Sequence, residues 1–304
     1  MDRKIRAFLA IVEEGTLTAA AERVALAQPS LTKLLKRLEA ELGAPLFERL
    51  PRGVVLTPFG ERFHERARRI EAEYRFAVEE LRALKNGHLP VLNIGAGPLY
   101  HMLHIPIVCE ALTREFPRTR LNVVAAINRV TMPMLARGEL DVVCGELSPE
   151  EQIYGVDSIP LMEAEQGIIM RRGHRLADAP MDADHLAGET WVLFQHDDRV
   201  LRALERFMGA GRHAFTVAVT TSSHATGLRI VSGSDYLMLG PAQLAPVIEE
   251  AGLLVRRPIT PIRRFETGVS LRHSARSIPI VARLVELVAA STARQTEHLG
   301  VPMP

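Results

Sequence analysis

Apolar residues at Ile5, Phe8, Leu9 and Val12 recur at i, i+3, i+4 and i+7, which predicts a first amphipathic helix. Gly15 stops it, in the position where a left-handed residue closes a helix. Thr18 can cap a second helix over Ala19 to Val24. After a break at Ala25-Leu26-Ala27, a third helix starts with Pro29 in its first turn, where the missing N–H costs nothing. On that helix Leu31, Leu34, Leu35 and Leu38 share one face. Pro29, Thr32, Lys33 and Lys36 fall on the opposite face, with Ser30 and Arg37 at its edge. A leucine spine under a short hydroxyl-and-cation face, directly after a tight helix–turn–helix, suits insertion into a major groove. An ordinary surface helix with a solvated basic face would show the same pattern.

Phe47-Glu48-Arg49 and Val54-Val55-Leu56 flank Leu50-Pro51-Arg52-Gly53, which predicts a two-stranded wing with Arg49 and Arg52 at its tip. Such a tip can reach a neighbouring backbone or minor groove, although basic hairpin tips are commonly just solvated. From Pro58 to about Lys85 the chain reads as one long helix. Phe63, Ala67, Ile70, Tyr74, Ala77, Leu81 and Leu84 follow a 4-3 spacing along it, a heptad seam. The seam could pack on its own domain, but its strict period favours a partner helix and therefore a dimer. Asn86-Gly87-His88-Leu89-Pro90 ends the charged helix and places a domain boundary.

Beyond that boundary the texture changes. Val91 to Gly95, Leu121 to Val124 and Val142-Val143 read as strands separated by helical patterns, the alternation of βαβ units and a parallel sheet. Ligands of such folds sit beyond the carboxyl ends of the strands, often at helix N-termini that favour anions. The segments to watch are Gly97 to His101, Ile127 to Thr131, Gln195 to Arg199 and Thr221 to His224. Their hydroxyl, amide and cationic groups suggest a small anionic or polar metabolite. Asn128, Ser222 and Ser223 are the foremost candidates, followed by Tyr100, His101, Arg129 and Arg199. Each of these, taken alone, also fits a solvated loop side chain.

The chain has 304 residues, with 47% hydrophobic and 24% charged positions. Those proportions fit a globular protein with core enough for two domains. No apolar run approaches the roughly 18–20 residues of a membrane span, and the N-terminus lacks a signal peptide's apolar core, so cytoplasmic residence is expected. Net charge is +1, which advertises no nucleic-acid partner by itself. Residues 1–88 hold 16 Lys and Arg against 13 Asp and Glu, and the remainder 21 against 23, a small asymmetry in the expected direction. Two cysteines, Cys109 and Cys144, exclude a disulfide scaffold and read as packing thiols. Neither His101 and His104 nor His196 with Asp197 and Asp198 forms a metal-binding motif, and no P-loop, GxSxG or dinucleotide fingerprint occurs. No enzyme, metal or cofactor is expected.

The stretch Ile5 to Gly60, with "AAAERV", "QPSLTKLLKRLEAELG" and "PLFER", resembles without a gap the DNA-binding domain of LysR-type transcriptional regulators. More faintly, "EFPRTRLNVV", "LARGELDVVCGEL", "GIIMRRGHRLAD" and "LRIVSGSDYLMLGP" resemble that family's effector domain. The resemblance implies an α/β protein overall. Its expected parts are a winged helix-turn-helix over 1–58, a linker and dimerisation helix over 59–89, and a periplasmic-binding-protein-like effector domain over 90–304. That domain would comprise a first lobe of about 90–161 and 268–298 and a second of about 162–267, joined by two crossing strands. The resemblance further implies that Gln28, Pro29, Thr32 and Lys33 contact bases while Ser30, Lys36, Arg37, Arg49 and Arg52 contact phosphates. Ala27 departs from the family's usual serine there and removes one capping or phosphate-binding hydroxyl. Expected partners are double-stranded DNA carrying an interrupted palindromic operator, a small-molecule effector, a second copy through the 58–85 helix, a homotetramer built from two dimers, and RNA polymerase. A ligand-independent DNA-binding oligomer is the alternative.

Overall fold

The computed structural model describes residues 1–51, 53–86, 89–148, 155–195, 197–209 and 211–299. The chain divides into two compact units, Met1–Leu81 and Arg82–Pro304. In the first unit, α1 (Arg3–Glu14) begins where the Asp2 side chain accepts from the Lys4 N–H at 2.6 Å and ends at Gly15, whose φ is +68°. Helix α2 runs from Leu17 to Arg23. Its cap is Thr16, whose hydroxyl accepts from the Ala19 N–H at 3.3 Å, so Thr18 lies inside the helix and is not its cap. The glycine turns the chain tightly enough for helix to resume at once, two residues before the expected start. Helix α3 (Gln28–Leu42) buries Leu31, Leu35 and Leu38 and closes at Gly43 with φ +70°.

Strands β1 (Phe47–Leu50) and β2 (Gly53–Leu56) pair antiparallel. The Val54 N–H donates to the Gly15 carbonyl at 3.0 Å, which fastens the wing to the turn after α1. A Cβ on Gly53, where φ is +136°, would stand 2.6 Å from that same carbonyl oxygen, so only glycine fits. Helix α4 spans Pro58–Asn86. Phe63 from its first turns and Phe47 from the wing close on the buried Phe8, with ring centroids 4.9 and 5.3 Å apart.

In the second unit, β3 (Val91–Ala96), β4 (Arg120–Ala125) and β5 (Val142–Glu146) form a parallel sheet. Helices α5 (Ile105–Glu115) and α6 (Asn128–Ala136) connect them, and a π-helical turn, Tyr100–His104, precedes α5. Strand β6 (Val156–Arg171) then leaves this lobe for a second, where β7 (Thr190–Phe194), β8 (Thr216–Thr221) and β9 (Leu237–Pro241) run parallel. Helices α7 (Asp198–Phe207), α8 (His224–Ser232) and α9 (Ala245–Glu250) belong to that lobe, and β10 (Leu253–Arg256) lies along β6. Strand β11 (Arg264–Arg272) returns to the first lobe, where α10 (Pro279–Leu299) completes the unit.

The sheet order β4-β3-β5-β11-β6-β9-β7-β8 puts the two antiparallel crossing strands, β6 and β11, between two parallel halves. Their register shifts between Thr267 and Gly268. At Gly268 a Cβ would lie 2.0 Å from the Ile159 carbonyl oxygen, so the close approach of the strands at this bulge requires glycine. Each half has its own core. Met132, Leu135, Leu140 and Val143 pack in the first, and Trp191, Leu237, Ile168 and Leu204 in the second. Cys144 is buried in β5, and burial pushes its thiol up to about 12. No helix among the described residues is long and apolar enough to cross a membrane.

Candidate functional site

Two surfaces carry chemistry, one in each unit. In the first, Leu31, Leu35 and Leu38 of α3 face the core. That burial turns Gln28, Pro29, Ser30, Lys33, Lys36 and Arg37 outward, all of them exposed. Thr32 is half-buried, and its hydroxyl donates to the Gln28 carbonyl at 2.9 Å, leaving the oxygen's lone pairs as its outward chemistry. Arg49 is exposed on β1 opposite Val54, and Arg52 lies outside the described residues. Lys33, Lys36, Arg37 and Arg49 make no ion pair among the described residues, so their charge faces solvent. At the start of α3 the Ser30 and Leu31 N–H groups donate to the Ala27 carbonyl at 2.9 and 3.1 Å and Pro29 has none, so this helix start adds little beyond its dipole. The cations and the Gln28 amide on the exposed side of α3 form a surface suited to a polyanion.

In the second unit a cavity of about 380 Å³ lies where the carboxyl ends of the strands of both lobes converge. The first lobe supplies Gly97 to Tyr100 after β3, Asn128 and Arg129 at the start of α6, and Glu146 at the end of β5. From the second lobe come Phe194, Asp197 to Val200 at the start of α7, His224 at the start of α8, and Leu239 to Pro241. The crossing strands and the segment before β11 contribute Gln166, Arg263, Phe265 and Thr267.

Ion pairs bridge the lobes at this cavity. Arg129 reaches Asp198 at 2.8 Å. Glu146 receives Arg199 at 3.1 Å and both terminal nitrogens of Arg263, one of them at 2.9 Å. Arg263 in turn lies over the Phe265 ring, 4.8 Å from its centroid. Asp197 caps α7, accepting from the Val200 N–H at 3.2 Å, and burial raises its carboxyl above the usual range.

The remaining wall is aromatic and neutral. Tyr100 donates to the Thr267 hydroxyl at 3.1 Å, and that hydroxyl donates to the Met162 carbonyl at 3.0 Å. Burial raises the Tyr100 phenol well above its ordinary value. His224 stacks on Phe194 with centroids 3.8 Å apart, and burial, with His101 nearby, holds its imidazole down to about 3. The Gln166 side-chain oxygen is buried without a hydrogen-bond partner among the described residues. An orphaned acceptor in a cavity wall is the position for a ligand's N–H or O–H.

Of the sequence candidates for the effector, Tyr100, Asn128, Arg129 and Arg199 line this cavity. The Asn128 amide is committed to the Glu146 carbonyl, so it shapes the β5–α6 corner. His101, Ser222 and Ser223 stand outside the wall. The His101 Nδ1–H donates to the Gly97 carbonyl, 3.3 Å away, and Ser223 is the cap of α8, accepting from the Thr226 N–H at 3.3 Å. Capping engages the exposed Ser223 at the helix end, Ser222 is exposed beside it, and His224 is the residue of this segment that lines the cavity. Glu146, Gln166, Arg263 and Phe265 were missed from sequence. The signals available were an acidic residue ending an apolar strand and the arginine-rich run around Pro258 and Pro261.

The comparisons agree with this two-part organisation. Residues 3–61 match the bacterial regulatory helix-turn-helix model of the lysR family, and residues 85–293 match the LysR substrate binding domain. The HTH-type transcriptional regulator TfdS of Cupriavidus pinatubonensis is 35% identical over 251 residues, 81% of this chain and 83% of that protein. Among solved structures, a full-length OxyR variant from Pseudomonas aeruginosa superposes with a TM-score of 0.64 at 24% identity, covering 95% of this chain and 93% of that one. CbnR, a LysR-family regulator solved in complex with its target DNA, superposes with a TM-score of 0.62 at 22% identity, covering 96% and 100%. With an exposed basic helix in the segment that matches the helix-turn-helix model and a two-lobed cavity in the segment that matches the substrate binding domain, this chain belongs to the LysR family of transcriptional regulators.

Proposed function

We propose that the protein is a cytoplasmic, non-catalytic regulator that binds an interrupted palindrome and responds to a small anionic or polar metabolite held between the lobes of residues 90–304. The observation that carries this reading is the cavity at the lobe junction, which joins interlobe ion pairs, an apolar wall and the unpaired Gln166 oxygen. A ligand in such a place touches both lobes at once and so favours one lobe geometry over another, which is the requirement for a ligand-driven switch. On the DNA side, Gln28, Pro29, Thr32 and Lys33 read base edges, and Ser30, Lys36, Arg37, Arg49 and Arg52 hold phosphates. The exposed apolar positions of α4 support a dimer through that helix, and the family's habit of pairing dimers supports a tetramer that presents DNA to RNA polymerase.

The test is thermal denaturation of the full-length protein against carboxylates, aromatic acids and sugar acids. A ligand at 100 times its dissociation constant adds about 2.7 kcal/mol. Gln166→Leu should lose most of that stabilisation while binding operator DNA normally. Stabilisation that Gln166→Leu leaves intact would move the ligand elsewhere. Operator binding with no stabilisation by any compound would favour the ligand-independent oligomer.

A further inference from the structure

Glu146 occupies an unusual position in the cavity, because its carboxylate is held the way a bound ligand's carboxylate would be. Arg263 meets it with both terminal nitrogens, the planar fork that matches a carboxylate, and Arg199 adds a third donor from the other lobe at 3.1 Å. Resting on the reading of this cavity as the effector site, we infer that Glu146 is a resident anion and that the effector is a monocarboxylate with an apolar body whose carboxylate takes its place between Arg199 and Arg263.

Three observations lead there. Among the described residues the cavity wall holds four arginines, Arg129, Arg199, Arg202 and Arg263, against three acids, Glu146, Asp197 and Asp198. One further negative charge therefore balances these described side chains. A cation would add to an excess of its own sign, and a dianion would overshoot. Beside the arginines the wall is apolar, with Leu193, Phe194, Leu239 and Phe265, and burial keeps the stacked His224 uncharged. That part of the site takes hydrocarbon. Finally, Glu146 stands on β5 of the first lobe and Arg199 on α7 of the second. Replacing Glu146 with a free carboxylate exchanges a bond that spans the lobes for one that ends on the ligand. The internal carboxylate thus competes with the effector and also couples its arrival to lobe geometry.

The test titrates full-length wild type, Glu146→Gln and Glu146→Asp with three compounds of one shape: phenylacetate, neutral phenylacetamide and cationic 2-phenylethylamine. Binding is read by calorimetry, and folding by circular dichroism and operator binding. Removing the competitor should tighten phenylacetate about tenfold or more in Glu146→Gln and leave phenylacetamide unchanged. Glu146→Asp, whose shorter side chain loosens the clamp, should fall between Glu146→Gln and wild type. If Glu146→Gln fails to fold, the Glu146→Asp shift alone decides. Arg199→Gln should abolish the phenylacetate preference. Equal phenylacetate affinity in wild type and in every folded Glu146 variant would overturn the inference while leaving the cavity as the effector site. Tight 2-phenylethylamine binding that Glu146→Gln destroys would make Glu146 the ligand's own partner and overturn it as well. Binding by none of the compounds to any folded variant would defeat the placement of the effector itself.

Discussion

In the proposed reading of α3, single side chains divide the labour of reading DNA from that of holding it. Lys33 shares the outward face of α3 with Thr32 and Pro29, whereas Lys36 lies one turn further along. Lys33→Ala should therefore relax preference at one base pair, by about 1–3 kcal/mol of discrimination. Lys36→Ala should weaken all sequences alike and lower the salt slope by about one. Fluorescence anisotropy on operator variants at several salt concentrations separates the two, and identical behaviour of both variants would refute the division. Thr16 offers a test of a different kind. Its hydroxyl caps α2, so Thr16→Ala should cost about 1 kcal/mol in urea denaturation, against little for the exposed Thr18→Ala. The sequence contained both threonines, and only the abruptness of the Gly15 turn decides between them. Glu146 and Arg263 were illegible for a different reason: they are 117 positions apart, and a pair so distant is joined by topology rather than by any local pattern.

Elements were far more legible than contacts, because periodicity is a local property. The leucine spine of α3, the two strands of the wing and the three parallel strands β3, β4 and β5 all follow from spacing. The heptad seam of α4 divides in a way that spacing does not reveal. Phe63 and Ala67 pack inside the first unit, whereas Ile70, Tyr74 and Leu81 are 46%, 49% and 66% exposed, and the side chain of Leu84 lies outside the described residues. Large apolar residues in register on an open helix face are matched by a second copy of the same face. Burying the exposed half of Ile70 and of Tyr74 against a partner is worth about 1 kcal/mol each. The double variant Ile70→Glu/Tyr74→Glu should accordingly sediment as a smaller species at micromolar concentration, and an unchanged sedimentation coefficient would place the dimer contact elsewhere. At the crossing strands, Gly268→Ala should destabilise the second unit by about 1–3 kcal/mol, since its methyl would collide with the Ile159 carbonyl. Equilibrium denaturation measures that loss directly.

At the scale of the whole molecule, buried neutral histidines set a pH limit. Burial holds His104 down to about 4 and His224 down to about 3, whereas both titrate near 6.5 in an unfolded chain. Between those values the unfolded state binds more protons, so stability is full above about 6.5 and is lost as pH falls toward 4. Each histidine contributes a slope of at most about 1.4 kcal/mol per pH unit. Urea midpoints at pH 7.5, 6 and 5 should therefore fall in that order, and His104→Asn should flatten the decline. The path of the chain through its sheet has another consequence, for the order in which the protein is made. Strand β5 is flanked by β3, which precedes it, and by β11, about 120 residues later. A ribosome adding about 5–20 residues per second needs roughly 6–24 seconds to deliver that neighbour. During that interval the second lobe, whose parallel strands are contiguous in sequence, can close, while the nascent first lobe carries an open apolar edge at Val142–Glu146. The lobe synthesised first is therefore the one finished last, and a chaperone that shields a growing chain would find its longest-lived target there.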